Sequence, residues 1–135
     1  MKYEPIHYHD YLGLDKLLNS QKRRSEEFGN PAHEEWLFIS VHQVYEVWFF
    51  QVLKEIQSLL PLFNKASIPE RDMGTIDHRI HRILAIAKGL TGPLDILETM
   101  TPHEFLDFRD YLYPASGFQS AQFRMIEVLL GLKNE

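Results

Sequence analysis

The sequence contains no cysteine. Disulfides, thiolate metal ligands and a cysteine nucleophile are excluded together, so any metal chemistry has to use His, Asp, Glu or a prosthetic group. No apolar run approaches the roughly 18 residues that a membrane span needs. The opening residues, Met1-Lys2-Tyr3-Glu4-Pro5-Ile6-His7-Tyr8, lack the apolar stretch of a secretory signal, and a cytoplasmic protein is expected. Basic residues are not in excess: 14 Lys and Arg against 19 Asp and Glu give a net charge of −5. That leaves no surplus cation to neutralise phosphates and argues against a nucleic-acid partner. Strand-like alternation, internal repeats and low-complexity tracts are absent as well. What the chain has in quantity is aromatic side chains: nine Phe, six Tyr and two Trp in 135 residues. The length suits one domain of roughly 100–200 residues, which can bury on the order of two thirds of its unfolded surface.

Apolar residues recur at helical spacing almost throughout, so the fold class is all-α, a helical bundle forming a single domain over residues 1–135. About 1–30 form an N-terminal arm and a first helix, the helix reading over 10–28 with Leu14, Leu17 and Leu18 as its apolar side. Asn30 as N-cap and Pro31 at the first helical position open a long buried helix over about 31–63. Between Trp36 and Leu53 it is apolar nearly all round, which predicts burial on most sides within a bundle or an oligomer. Pro61 is expected to kink or stop it. After a loop over 64–70, the remaining helices occupy about 72–132. The third carries a stripe of Ile76, Ile80, Ile83, Leu84 and Ala87, and Gly92-Pro93 breaks it. Thr101-Pro102-His103-Glu104 matches a capping box, with Thr as N-cap, Pro at N1 and Glu at N3. Pro114-Ala115-Ser116-Gly117 reads as a loop, and a last helix runs from about Gln119 to Leu132.

Two pairs of residues could carry chemistry. Phe38 and His42 are four apart on the long helix and share a face. A histidine in such apolar surroundings needs a hydrogen-bond partner. It is either a core histidine bonded to a backbone carbonyl or nearby side chain, or a polar group lining a ligand pocket. Phe105 and Arg109 repeat the spacing on the helix after the capping box. Arg109 offers a planar fork suited to a carboxylate, or else it forms a surface ion pair with Glu104, Asp107 or Asp110. Together the pairs outline a pocket with aromatic walls, one neutral hydrogen-bonding group and one carboxylate clamp, a composition that suits an aromatic amino acid.

Other candidates are poorer. His78 and His81, three apart, could chelate a metal, but Arg79 and Arg82 beside them favour a solvated face. His7 and His9 have no carboxylate pattern to complete a site. Glu34 and Glu35 fit the first turn of the long helix, where acidic groups favour the dipole. Ser116-Gly117 lacks the strand-then-helix context of a nucleophile elbow and reads as a tight turn in which Gly117 supplies an unusual backbone angle. A carboxylate di-metal bundle needs Glu-x-x-His pairs on inward faces. The one such spacing, Glu4 to His7, lies outside the bundle helices, so this reading is set aside.

Three stretches taken together resemble a known family. They are Tyr8-x-x-Tyr11-Leu12-x-Leu14-Asp15-x-Leu17-Leu18; His33-Glu34-Glu35-x-Leu37-Phe38-Ile39-x-x-His42-Gln43-x-x-Glu46-x-Trp48-Phe49; and Leu97-Glu98-Thr99-Met100-Thr101-Pro102, continuing through Phe105-x-x-Phe108-Arg109 to Pro114-Ala115-Ser116-Gly117-Phe118-Gln119-Ser120-x-Gln122-Phe123-Arg124. This resembles tryptophan 2,3-dioxygenase, the helical haem enzyme that opens the indole ring with O₂, with Glu34 standing where the family usually has Asp. The resemblance implies that Phe38 packs on the indole and that His42 is the catalytic-site acceptor of the indole N–H, not an iron ligand. It implies that Phe105 lines the same pocket and Arg109 holds the substrate carboxylate. Ser116 and Gly117 would lie against haem b near the O₂ site. Tyr8, Tyr11 and Leu12 would close the active site of a neighbouring subunit in a homotetramer.

The implied substrates are L-tryptophan and O₂, the product N-formylkynurenine, and the place of action tryptophan catabolism by the kynurenine route. The family's proximal haem histidine, and a further threonine on the substrate, lie in a C-terminal half with no counterpart in these residues. The chain alone is therefore expected to hold haem weakly or not at all. The alternative is a non-catalytic helical oligomerisation or interaction module derived from the same family.

Overall fold

A computed structural model describes residues 3–132. Among them eight α-helices and two 3-10 turns form and no strand does, so the chain is all-α. The first helix expected over 10–28 is instead three short ones: α1 (Tyr8–Leu12), α2 (Leu14–Leu18) and α3 (Arg24–Glu27). The break between α1 and α2 falls at Gly13, whose φ of 60° and ψ of 39° lie in the left-handed region that other L residues avoid.

The axis of the fold is α4 (Glu35–Phe63), 29 residues and about 44 Å long. It starts at Glu35 and not at Pro31. The backbone N–H groups of Asn30 and Ala32 are already committed to Ser25, to its carbonyl at 3.1 Å and its hydroxyl at 3.0 Å. Residues 28–33 therefore fold back over α3 instead of entering the helix. Pro61 does not stop α4; it sits in the last turn, where its missing N–H costs one late hydrogen bond.

Helices α5 (Glu70–Gly89), α6 (Gly92–Leu97) and α8 (Ala121–Leu129) pack on α4. The aliphatic core lies between them and consists of Val41, Val52, Leu53, Ile56 and Leu59 of α4 with Ile76 of α5. Polar ties fix the helices along the axis. Arg82 donates to the Glu55 carboxylate at 3.0 Å, Arg79 to the Ser58 carbonyl at 3.0 Å, and Tyr45 to the Leu90 carbonyl at 2.5 Å. From α8, Gln122 reaches both the backbone and the carboxylate of Glu46, each at 2.8 Å.

The expected burial of α4 on most sides is not met within this chain. Val44, Val47, Trp48 and Phe50 are 41–56% exposed. One layer of neighbours cannot enclose a helix that is apolar all round. Among the described residues, no helix is long and apolar enough to cross a membrane.

Helix α7 (Pro102–Arg109) opens as the sequence predicts. Thr101 accepts from the Glu104 backbone N–H, and the Glu104 carboxylate accepts from the Thr101 N–H at 2.7 Å. A 3-10 turn over Asp110–Leu112 continues it, a second turn covers Gly117–Gln119, and the Tyr113–Pro114 peptide between them is cis.

Candidate functional site

The capping box decides where α7 begins, and so which of its residues meet α4. Phe105 and Phe108 face Phe38 and make one aromatic cluster. Phe38 and Phe105 stack with centroids 5.7 Å apart and planes 26° apart, and Phe108 meets both edge-on at 5.5 and 5.4 Å. Phe108 is fully buried and backs the other two. Stacked and edge-on rings at these spacings are mutually attractive, so the aromatic wall is fixed before anything binds to it.

His42 lies one turn beyond Phe38, half-buried, with its ring 4.1 Å from the Phe38 ring. Its Nδ1 is 2.7 Å from the Phe38 carbonyl oxygen. A carbonyl oxygen can only accept, so Nδ1 carries a proton, and the tautomer with its single proton there has Nε2 as the acceptor. The two readings of His42 left open by the sequence are thus compatible. One nitrogen satisfies the helix, and the other has no partner among the described residues.

Arg109, at the end of α7, is exposed, and no ion pair or hydrogen bond engages it among the described residues. The surface pairing considered for it does not form; Glu104 is taken by the capping box. Other arginines are engaged: Arg82 with Glu55, Arg124 with Glu127, Arg24 with Glu27. Arg109, Phe38, Phe105, Ser116 and Gly117 border a single hollow of about 720 Å³. Four sequence-selected residues are thus brought together with the arginine, while His42 touches this group through the Phe38 ring and does not itself border the hollow.

Ser116 and Gly117 also border a second hollow of about 480 Å³, with Phe49, Phe118 and Phe123. Its charged groups are already paired, Arg124 with Glu127 at 2.6 Å and Glu46 with Gln122. Of these two hollows, the larger is the one bordered by a cation without a partner among the described residues. Gly117 does not adopt the unusual backbone angle expected of it. The positive-φ glycines are Gly13, Gly29 and Gly131, whereas Gly117 opens a 3-10 turn capped by the Ser116 hydroxyl, which accepts from the Phe118 N–H at 3.3 Å. A Cβ placed on Gly117 would meet nothing within 4 Å, so its backbone faces open space. The apolar walls suit one face of a flat macrocycle. The residues do not supply the axial imidazole, because no histidine borders either hollow.

Tyr8, Tyr11 and Leu12 lie on α1 at 74%, 74% and 44% exposure and border neither hollow. His78 accepts from Arg82 at 2.9 Å, and the His81 ring bonds the Asp77 carbonyl at 2.9 Å. His9 pairs with Asp15 at 3.0 Å. Of the two acidic residues placed in the first turn of the long helix, Glu34 is its N-cap and Glu35 its first residue. Sequence reasoning missed what Glu35 does. It is 1% exposed and accepts hydrogen bonds from α3. The Glu46–Gln122 tie across 76 residues was missed too. Composition offers no signal for either, because both depend on which distant helix arrives beside α4.

A family model described as tryptophan 2,3-dioxygenase matches residues 2–135. The tryptophan 2,3-dioxygenase of Bdellovibrio bacteriovorus is 59% identical over 133 residues, covering 98% of this chain and 37% of that protein. That of Alteromonas mediterranea is 52% identical over 98% of this chain and 36% of its own length, and that of Dictyostelium discoideum 52% over 94% and 32%. The chain spans about a third of the length of the curated relatives it matches. A match along nearly the whole chain places this protein in the tryptophan 2,3-dioxygenase family.

Proposed function

We propose that these residues form the substrate-facing part of a haem-dependent dioxygenase that opens the indole ring of L-tryptophan with O₂ to give N-formylkynurenine, and that the 720 Å³ hollow receives the tryptophan. The observation that carries this is the unpaired Arg109 guanidinium beside the stacked Phe38–Phe105 wall. A guanidinium fork matches a carboxylate in two parallel hydrogen bonds, and an aromatic wall matches an indole face. His42 lies behind the Phe38 ring and outside the hollow's border, so its Nε2, left over by the tie of Nδ1 to the Phe38 carbonyl, would accept the indole N–H where the indole extends past that ring. This hydrogen bond fixes the ring's orientation. Arg109 is exposed in these residues, so exclusion of water from the charge contact would need cover from the rest of the complete protein.

Haem b, when bound, supplies the activation of O₂. Ser116 and Gly117 would lie against it, and its axial histidine would come from outside these residues. Tyr8, Tyr11 and Leu12 leave a large apolar surface exposed on α1, which suits cover by a neighbouring subunit in a homotetramer.

One observation favours the alternative of a binding module without catalysis: the exposed apolar face of α4, which asks for a partner. Haemin titration separates the two. The enzyme reading expects the complete polypeptide to give a Soret band at fixed stoichiometry, and that band to shift on adding L-tryptophan. No haem uptake together with a stable oligomer would favour the module.

A further inference from the structure

Glu35 is one of three buried polar residues in the described chain, with Ser25 and Glu55, and the function proposed above does not use it. It stands one turn before Phe38 on α4. One carboxylate oxygen accepts the Arg24 N–H at 2.7 Å; the other accepts the Ser25 N–H at 3.0 Å and the Ser25 hydroxyl. Ser25 in turn gathers the loop that follows it. Its hydroxyl accepts from the Ala32 N–H, and its carbonyl accepts from the backbone N–H of Phe28 and of Asn30. That loop does not end in solvent. The Phe28 ring stacks on Tyr111 with centroids 5.1 Å apart and planes 13° apart, and the Asn30 amide donates to the Tyr111 hydroxyl at 3.4 Å. Tyr111 lies two residues after Arg109, in the 3-10 turn that continues α7.

A continuous path therefore runs from the helix that carries Phe38, through a buried carboxylate and a short loop, to the turn that carries Arg109. We infer that Glu35 is a positioning residue: it sets the distance between the Arg109 fork and the Phe38 wall, and through that distance the preference for an aromatic ligand bearing a carboxylate. This rests on the reading of the hollow as the tryptophan site. A carboxylate is required because three donors converge on it. The amide of a glutamine has one accepting oxygen, and its NH₂ would face a backbone N–H. Displacements on the order of 1 Å in groups remote from the chemistry are known to cost up to about a hundredfold.

The test compares L-tryptophan with tryptamine, which keeps the indole and the amine but lacks the carboxylate, on the complete haem-loaded polypeptide. Binding is followed by the Soret shift and turnover by KM and kcat. Glu35→Gln is expected to lower the preference for L-tryptophan over tryptamine by about tenfold, with the loss in KM more than in kcat and tryptamine binding unchanged. General loosening of the fold would weaken both ligands alike. Phe28→Leu removes the stack on Tyr111 while leaving the Glu35 hydrogen bonds in place, and should lower the same preference by a smaller factor. If Glu35→Gln gives no cooperative melting transition, Phe28→Leu decides: a lost preference supports the path and a retained one overturns it. A wild type that prefers L-tryptophan, with both variants keeping that preference, sinks the role of Glu35 and leaves the proposed function standing. A wild type with no preference at all removes the reading of the hollow, and the inference with it.

Discussion

Helix α4 buries a carboxylate near each end, and the two are neutralised by different chemistry. Toward the C-terminal end, Glu55 is paired with Arg82 at 3.0 Å and takes a second hydrogen bond from Gln51 at 2.8 Å. At the N-terminal end, Glu35 meets backbone N–H groups and a serine hydroxyl, and no cation. Arg109, which shares a hollow with Phe38 one turn along α4, has no partner among the described residues. One end is electrostatically closed and surrounded by aliphatic side chains. The other is edged by aromatic rings and keeps a free positive charge. A cation that is neither used by the fold nor far from an apolar hollow is available to a ligand. On the proposed function, this difference, more than the hollow's size, is what would separate a binding end from a structural end.

The largest expected effect tests the open end. Arg109→Ala in the complete haem-loaded polypeptide should cost about 2–5 kcal/mol of L-tryptophan affinity, the size for truncating one side of a charge pair that the bound ligand and the rest of the protein cover. Its stability should change by no more than about 0.5 kcal/mol, because the side chain holds nothing in the fold. Unchanged affinity by calorimetry would make Arg109 an ordinary surface residue. His42→Ala comes next. It deletes one hydrogen bond to the ligand, about 1–3 kcal/mol, and N-methylation of the indole should cause no further loss in the variant. A variant that still distinguishes the methylated ligand would remove Nε2 from the site.

The closed end should respond in the opposite way. Arg82→Ala leaves a buried carboxylate with Gln51 as its remaining side-chain donor, and should lower stability by about 1–3 kcal/mol in urea unfolding while leaving ligand affinity alone. Acid titration sharpens this. Burial pushes the Glu55 carboxyl up, but hydrogen bonds from Arg82 and Gln51, with the charges of Arg82 and Arg79, outweigh it and hold it below the ordinary range. A lowered folded-state value means that the stabilisation is present above the unfolded glutamate value of about 4.3 and is lost as pH falls through the lower folded one. In Arg82→Ala the acid limb of the stability curve should move to higher pH. An unmoved limb would mean that the pair contributes nothing.

Much of this contrast is invisible in the chain as a string of residues. The all-round apolar run of α4 and the four-residue spacings of Phe38–His42 and Phe105–Arg109 are legible because helical period alone fixes them. The joining of those two faces around one hollow follows from α7 being started at Thr101. What could not be read depends on contacts between distant segments. Asn30-Pro31 looks like a helix start, yet Ser25 claims the backbone N–H groups of Asn30 and Ala32 and delays the helix to Glu35. Arg109 has carboxylates on either side of it in sequence, Asp107 and Asp110, and pairs with neither. The exposed flank of α4 was unreadable for a further reason: an apolar face records that something covers it, and not what.

The smallest expected effect concerns the cap that sets this geometry. Thr101→Ala removes the acceptor for the Glu104 N–H and the hydroxyl that donates to the Glu104 carboxylate at 2.8 Å. Loss of an N-cap of this kind costs about 1 kcal/mol, and here it should show as a fall in Tm. The Glu104 carboxyl, held below the usual range first by the Thr101 backbone N–H and then by its hydroxyl, should rise toward the ordinary value in the variant but not reach it, since the backbone donor remains. The consequence for the hollow is informative because α7 carries Phe105 and Arg109 together. If the helix moves as a rigid piece locked by buried Phe108, ligand affinity falls little while stability falls measurably. If the first turn frays and takes Phe105 with it, affinity falls as much as stability does, and the aromatic wall depends on the cap as well as on the packing of the three rings.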